Sequence, residues 1–390
     1  MTGPTRAPGA AEFALLCACC AWPPTPQRSE RVRAAAAGVD WQRVASMARR
    51  HRVEGLVGYA LQAAGVPVPR PIAAAAQAVA RRSLIQCAEA LRIQSVFAAA
   101  GIPVLFLKGA ALAQIAYGSI AVRHSNDVDV VVPPGDVHAA WAALDEAGYA
   151  QQRPAASMPP GALRAFMRAS KHSTHVHRRS GVLLELHWRI TETDLAITLP
   201  PRQAWCAVEV APGETLSTLG RNDLLPYLCV HGAADAWFRL KWVADIGAML
   251  SSGDDHSDEL WHRAEAAGTD PCAAAALILS HELLGTALPP GFVPPHSARL
   301  RLVLALSRWV MAPRDGDPEV SDMPWRTPVR VIAALLCARG WRARAGVISR
   351  FAVPARHIEI LRLPAGLAFL YPLARVPLWL WKRSPAFLRK

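Results

Sequence analysis

The stretch Arg123-His-Ser-Asn-Asp127-Val-Asp-Val-Val-Val132 decides the fold. Four valines in its last six positions, followed by Pro133-Pro134, read as a short buried strand. Successive side chains of a strand point to opposite faces. Asp127 and Asp129 therefore share one face, while Val128, Val130 and Val132 enter a core on the other. Neighbouring carboxylates repel, and a cation between them relieves that cost. Mg²⁺ is the natural ion, being hard and commonly held by one or two carboxylates plus substrate phosphates. A solvated strand end can also carry such a pair, so the flanking sequence has to arbitrate.

Upstream, Val104-Leu-Phe-Leu107 reads as a second apolar strand, Lys108-Gly109 breaks it, and Ala110–Tyr117 reads as a helix. A glycine between a strand and a helix N-terminus suits a phosphate, because amide N–H groups point outward there. Lys108 adds a cation; a tight turn with a solvated lysine is the plainer alternative. Downstream, Val137–Ala147 reads as a helix ended by Gly148. Thr174–Arg178 and Val182–Trp188 read as strands joined at Arg179-Ser-Gly181. Glu185 and His187 share one face of the second strand, and Leu184, Leu186 and Trp188 the other. A three-residue turn puts His175 and His177 on the Glu185 face and Val176 on the apolar one. His172, His175, His177 and His187 could form a second metal site. A polar substrate surface is the expected role, because nothing completes the usual tetrahedral zinc set.

The flanks are helical. Asp40 precedes Trp41, Val44, Met47 and Ala48, an amphipathic helix with an aspartate N-cap. Val53–Ala64 continues helical, and Ala73–Ala100 is a long Ala-rich helix closed by Gly101. From Asn222 onward the strand signals vanish. Leu224–Gly232, Trp237–Leu250, Leu260–Ala267 and Cys272–Leu284 read as helices, with Asp235–Arg239 and Lys241–Asp245 as i, i+4 pairs. Thr286–Pro295 is a connector, and Arg299–Lys390 is helical with proline interruptions. The expected class is α+β: an N-terminal helical region (1–95), a mixed α/β core (96–215) and a C-terminal helical region (216–390).

Hydrophobic residues make up 52% of the 390 and charged residues 19%, which excludes a disordered or low-complexity chain. Abundant Ala and Arg with scarce Lys suggest a high-GC bacterial genome. The formal net charge of +13 favours a polyanionic partner: nucleotide, nucleic acid or acidic membrane. Nucleic acid is not favoured, because no run of four basic residues occurs and no aromatic RNA-binding strand is visible. Cys87, Cys206, Cys229, Cys272 and Cys337 read as isolated buried thiols, and Cys17, Cys19 and Cys20 as part of a helix face. No secretory signal or spanning run of about 18 apolar residues is evident, so a cytoplasmic location is expected. The tail from Leu361 mixes Trp and Leu with Arg and Lys, a composition suited to peripheral membrane contact, though Pro364, Pro372, Pro377 and Pro385 favour packing against the body.

In this order, Leu107-Lys108-Gly109, Arg123-x-x-x-Asp127-Val-Asp129 and Glu185-Leu-His-Trp188 resemble the uncharacterised nucleotidyltransferase branch of the polymerase β-like nucleotidyltransferase superfamily. Asp40-Trp41, Arg49-Arg-His51, His231-Gly and Arg239-Leu-Lys-Trp242 with Asp245 extend the resemblance over about residues 35–255. It implies a polymerase β-like mixed sheet and an enzyme. Asp127, Asp129 and Glu185 would hold Mg²⁺ or Mn²⁺ and be catalytic. An NTP would pass its nucleoside monophosphate to an unknown acceptor (small molecule, sugar or peptide), releasing pyrophosphate. Related proteins occur in bacterial biosynthetic clusters. The superfamily's Gly-Ser turn is here Gly109-Ala110, which leaves phosphate to backbone amides and Lys108. Arg123 would reach a phosphate or pair with Asp127. His187 would orient Glu185 or meet the acceptor, and His231 and Lys241 would line the nucleotide cleft. Glycosyl or phosphoryl transfer from a nucleotide-activated donor, RNA binding, and an inactive scaffold or toxin–antitoxin component are the alternatives.

Overall fold

The computed structural model describes residues 9–191, 197–251, 257–312, 323, 325–353, 355–361 and five further positions up to 373. Trp379, Trp381, Lys382, Arg383 and the four tail prolines lie outside the described residues, and with them the membrane-contact reading. No described helix is long and apolar enough to cross a membrane.

Five helices come first: α1 (Ala10–Cys20), α2 (Pro26–Ala35), α3 (Trp41–His51), α4 (Glu54–Ala63) and α5 (Arg70–Ala99). Asp40 caps α3 as expected, its carboxylate accepting from the amides of Gln42 and Arg43. The mixed region follows: β1 (Leu105–Phe106), α6 (Gly109–Tyr117), β2 (Asp127–Val131), α7 (Val137–Glu146), β3 (Tyr149–Arg153), α8 (Pro160–Ala169), β4 (His172–His177), β5 (Leu183–His187), β6 (Trp205–Ala211) and β7 (Glu214–Leu219). Helices α9 (Arg221–Ala234), α10 (Leu240–Ser251), α11 (Ser257–Ala266), α12 (Asp270–Leu284), α13 (Ala298–Met311), α14 (Arg326–Cys337), α15 (Gly340–Ala352) and α16 (Ala355–Leu361) complete the described chain. Thr286–Pro295 is irregular, as its prolines dictate.

The main sheet has the order β1-β2-β5-β4-β3. Only β2 and β5 run parallel, with Asp129 opposite Glu185. Val128, Val130, Val132, Leu184, Leu186 and Trp188 sink into one core with α5, α7 and α8. Val131 joins a second core on the other face, built from the N-terminal helices, α6, α9, α10 and α12. The carboxylates therefore project on the face toward that second core.

Several expectations need correction. The strand β3, the helix α2 and the β6–β7 hairpin carry weak apolar patterns, and neither they nor the amphipathic helix α8 were expected from the sequence. The hairpin covers the β1 edge, Thr218 donating its hydroxyl to the Phe106 carbonyl at 2.7 Å. Cys206 lies on this hairpin and is exposed; the other seven cysteines are buried. Helix α10 begins three residues late, because Ala236 and Trp237 adopt positive φ. Asp235 binds Arg330 at 2.5 Å, while Lys241 and Asp245 bind His124 and Arg123. The expected i, i+4 pairs thus give way to longer-range partners.

The largest correction concerns register. Gly181 donates to the His177 carbonyl and His177 to that of Val182, so the β4–β5 turn has four residues, Arg178–Gly181. One residue more than expected flips every side chain of β4. Thr174 and His172 now sit opposite Glu185 and His187. His175 and His177 take the other face, where His175 is buried and burial pushes its pKa down to about 4.

The loop 122–126 that feeds β2 is held from three helices. Gly55 of α4 approaches so closely that a Cβ there would lie 2.3 Å from the Val122 carbonyl oxygen. Ser83 of α5 donates to the Arg123 carbonyl at 3.1 Å. From α10, Lys241 Nζ donates to the His124 carbonyl at 2.9 Å. Asp245 accepts from Arg123 Nε at 2.8 Å and Nη2 at 2.9 Å, and from the Tyr117 hydroxyl at 3.0 Å. Arg123 was expected at a phosphate or beside Asp127; it is buried and committed to Asp245.

Two stability predictions follow from this packing. Asp245→Ala leaves the Arg123 cation buried without its partner, and about 3–5 kcal/mol of stability should be lost in a denaturant titration. His51 accepts from the Leu240 amide through Nδ1, and burial followed by Arg50 and Arg239 pushes its pKa down to about 3. The unfolded chain binds that proton below its ordinary value of 6.5, and the folded chain does not until about 3. Stability should therefore fall as pH drops through this window. His51→Gln keeps an acceptor, and at pH 5 should flatten the slope by about 1.4 kcal/mol per pH unit.

Candidate active site

The site lies on the first half of β2 and the middle of the parallel strand β5. Pleating puts Asp127 and Asp129 on one face, and the parallel register sets Glu185 beside Asp129. One carboxylate oxygen from each lies within 4.8 Å of the others. The three acidic residues singled out in the sequence thus converge.

Two kinds of group offset their repulsion. Lys108, at the foot of α6, places Nζ 3.2 Å from Asp129 Oδ2. His187 places Nε2 3.3 Å from both Asp129 Oδ1 and Glu185 Oε2. Its angles meet neither oxygen as a hydrogen bond, which leaves the buried Asp129 Oδ1 without a hydrogen-bond donor. His172 Nε2 stands 3.8 Å from Glu185 Oε1. His172, Glu185 and His187 therefore make a second group with metal-ligating spacing, sharing Glu185 with the acidic one.

The carboxylates respond differently. Burial, then Asp129 and Glu185, push Asp127 up to about 6, against Lys108 and Lys241. For Asp129, burial opposes ionisation, but Lys108 and His187 outweigh it and hold the carboxyl well below its usual range. For Glu185, burial is likewise outweighed by His187 and His172, and the value falls to about 2. Lys108 is held protonated: burial opposes its charge, and Asp129, Tyr227 and Asp127 outweigh burial. Three carboxylates facing one lysine, with one buried oxygen lacking a donor, fit a hard divalent cation.

Lys108 and Gly109 open α6 beside the carboxylates. Gly109 has φ +61°, a conformation that side chains strain to adopt, and a Cβ there would meet open space. Its amide and the helix N-terminus are suited to an anion. His231 reaches the adjoining cavity from α9 with Lys108, Lys171, His172, Glu185 and Tyr227. Burial, then Lys108 and Lys171, hold His231 well below its ordinary value, so it is neutral. Lys241, expected in the cleft, instead turns to the His124 carbonyl behind Asp127, where burial and Arg123 push it down to about 7.

Sequence reasoning missed Lys171, Tyr227 and the far wall of this cavity, which belongs to α14 and α15. The Lys171-His172 pair at the head of β4 was the available signal for the first. The others depend on how distant helices meet.

No curated protein and no solved structure matches the chain. A family model described as uncharacterised nucleotidyltransferase matches residues 37–285, more than half of the length, and the matched span includes the loop 122–126, all three converging carboxylates and Lys108. The chain belongs to the uncharacterised nucleotidyltransferase family and is a transferase.

Proposed function

We propose that this protein moves a nucleoside monophosphate from an NTP to an acceptor hydroxyl, phosphate or amine, releasing pyrophosphate. The observation that carries this reading is the convergence of Asp127, Asp129 and Glu185, with Asp129 Oδ1 buried and without a donor, in a nucleotidyltransferase chain. The three carboxylates would hold Mg²⁺ or Mn²⁺. Bound there, divalent ions supply Lewis acidity at the acceptor oxygen and charge at the leaving pyrophosphate. Two carboxylate-bearing strands side by side, with a glycine-started helix at their edge, support a polymerase β-like core spanning about residues 96–215, flanked by the two helical regions.

The protein's own groups divide the remaining work. Asp129 and Glu185 are fully ionised at neutral pH and fix the negative field of the site. Lys108 balances Asp129 and presents its ammonium to the cavity, where a triphosphate would share it. Gly109 and the following amides would meet phosphate oxygens in place of a serine hydroxyl. His187, 3.3 Å from an oxygen of each, stands between Asp129 and Glu185 and offsets their repulsion. Transfer in this scheme is positioning and charge neutralisation, with no covalent enzyme intermediate.

Thermal unfolding with each of the four NTPs, with and without Mg²⁺, tests the reading without knowledge of the acceptor. At about 100 times Kd, at least one NTP should add roughly 2.7 kcal/mol in a Mg²⁺-dependent way. Asp129→Asn preserves volume and removes a ligand charge, and should abolish that increment. A wild type indifferent to every NTP sinks the proposal.

Lys108→Ala should weaken the Mg²⁺–NTP complex by about tenfold or more, the worth of one charge-assisted hydrogen bond. Titration calorimetry reads this directly. An unchanged affinity would reduce Lys108 to a structural partner of Asp129.

A further inference from the structure

The four-residue turn between β4 and β5 brings together three residues that a shorter turn would separate. It sets His172 directly opposite His187 on the neighbouring antiparallel strand. Glu185 lies two residues before His187 and shares its face. The two imidazole rings stand 4.9 Å apart, centroid to centroid. His172 Nε2 is 3.8 Å from Glu185 Oε1, and His187 Nε2 is 3.3 Å from Glu185 Oε2. One ligand atom from each of the three lies within 4.8 Å of the others. Ligand atoms about 2.1 Å from a tetrahedral zinc ion stand about 3.4 Å apart, so this spacing is close to what one ion imposes.

His187 supplies an independent observation. It is 1% exposed, and neither of its ring nitrogens has a hydrogen-bond partner. In a neutral imidazole one ring nitrogen is a donor and the other an acceptor. A buried lone pair therefore stands beside Glu185 with no hydrogen bond to occupy it, and a bound cation removes that cost. His172 and Glu185 also line the cavity next to the acidic centre, so an ion between them is reachable from there. The donor set differs from that of Asp127 and Asp129. Mg²⁺ takes oxygen ligands, whereas imidazole suits zinc and its first-row neighbours. Lys108, which pairs with Asp129, belongs to the other group.

We propose that His172, Glu185 and His187 bind one divalent transition-metal ion of the zinc type, beside the hard-cation site and sharing Glu185 with it. Two imidazoles and a carboxylate fill three positions of a tetrahedral ion and leave the fourth for water or a ligand. Binding takes neutral imidazoles, so the ion takes over from His187 the task of offsetting the Asp129–Glu185 repulsion. The proposal goes beyond the nucleotidyltransfer reading and does not depend on it, since a metal alone is enough to test it.

The test is titration calorimetry of Zn²⁺ into the chelator-treated full-length chain, without nucleotide. One equivalent should bind. H172Q should weaken it by about tenfold or more, the scale on which even outer-shell partners of a metal act. H187Q should do the same, while H177Q, on the same strand as His172 but its opposite face, should leave the affinity unchanged. Asp127→Asn should cost less Zn²⁺ affinity than H172Q. Paramagnetic Co²⁺ in place of Zn²⁺ gives a direct signature: two exchangeable, strongly shifted imidazole N–H resonances in the proton NMR spectrum, one of them lost in H172Q. An unchanged Zn²⁺ affinity in H172Q overturns the proposal and returns His187 to a cation between two carboxylates. A loss in Asp127→Asn as large as in H172Q puts the ion in the acidic centre and overturns it too. Should the buried H187Q fail to fold, H172Q, at a partly exposed position, and the wild-type cobalt spectrum still decide. Zn²⁺ binding as expected in a protein indifferent to every Mg²⁺–NTP pair leaves this site standing and sinks the transfer reading; an NTP response with no zinc site does the reverse.

Discussion

Three carboxylates held on one face of a sheet repel one another, and much of this structure offsets that repulsion. The parallel pairing of β2 with β5 forces Asp129 and Glu185 into neighbouring positions. Lys108 and His187 then stand within 3.3 Å of the acidic oxygens. What they leave unbalanced is concentrated on Asp127, the one carboxylate of the three pushed upward. Such a site gains most from a cation, because a single bound charge relieves three interactions at once.

Keeping the carboxylates together calls on parts of the chain far apart in sequence. Gly55, Ser83, Lys241 and Asp245 all grip the five residues before Asp127. The flanking helices are therefore part of the site's foundation, and their polar residues serve it. Arg123 illustrates this: its guanidinium pairs bidentately with Asp245 of α10, and that pair fixes where β2 begins. The hairpin β6–β7 makes a similar contribution at the sheet edge, closing β1 against solvent.

The acidic strand was legible because its chemistry and its period agree. Asp-Val-Asp can put valine on one face and carboxylate on the other in only one way, and Glu-Leu-His-Trp repeats the pattern on β5. The long apolar helices were legible for a like reason. What escaped were features set by a single residue or by distant packing. One extra turn residue moved His175 and His177 to the opposite face and brought His172 beside Glu185. The β6–β7 hairpin alternates weakly, because much of it is exposed. The partner of Arg123 lies 122 residues away, and no local spacing points to it. The far wall of the cavity is harder still, since α14 and α15 meet the acidic centre only through the tertiary fold.

The close approach of Gly55 to the Val122 carbonyl leaves no room for sliding between α4 and the segment leading to Asp127. The carboxylate side of the cleft therefore behaves as one stiff jaw, with N-terminal helices, feeding loop and strand moving together. The opposite jaw, α14 and α15, is tied to the body by side-chain pairs such as Arg330–Asp235 and Arg339–Asp270 and by a small apolar cluster around Val329 and Ala333. Any side chain at position 55 would therefore have to push aside the backbone that leads into Asp127, so the smallest residue of α4 sets where the first carboxylate stands.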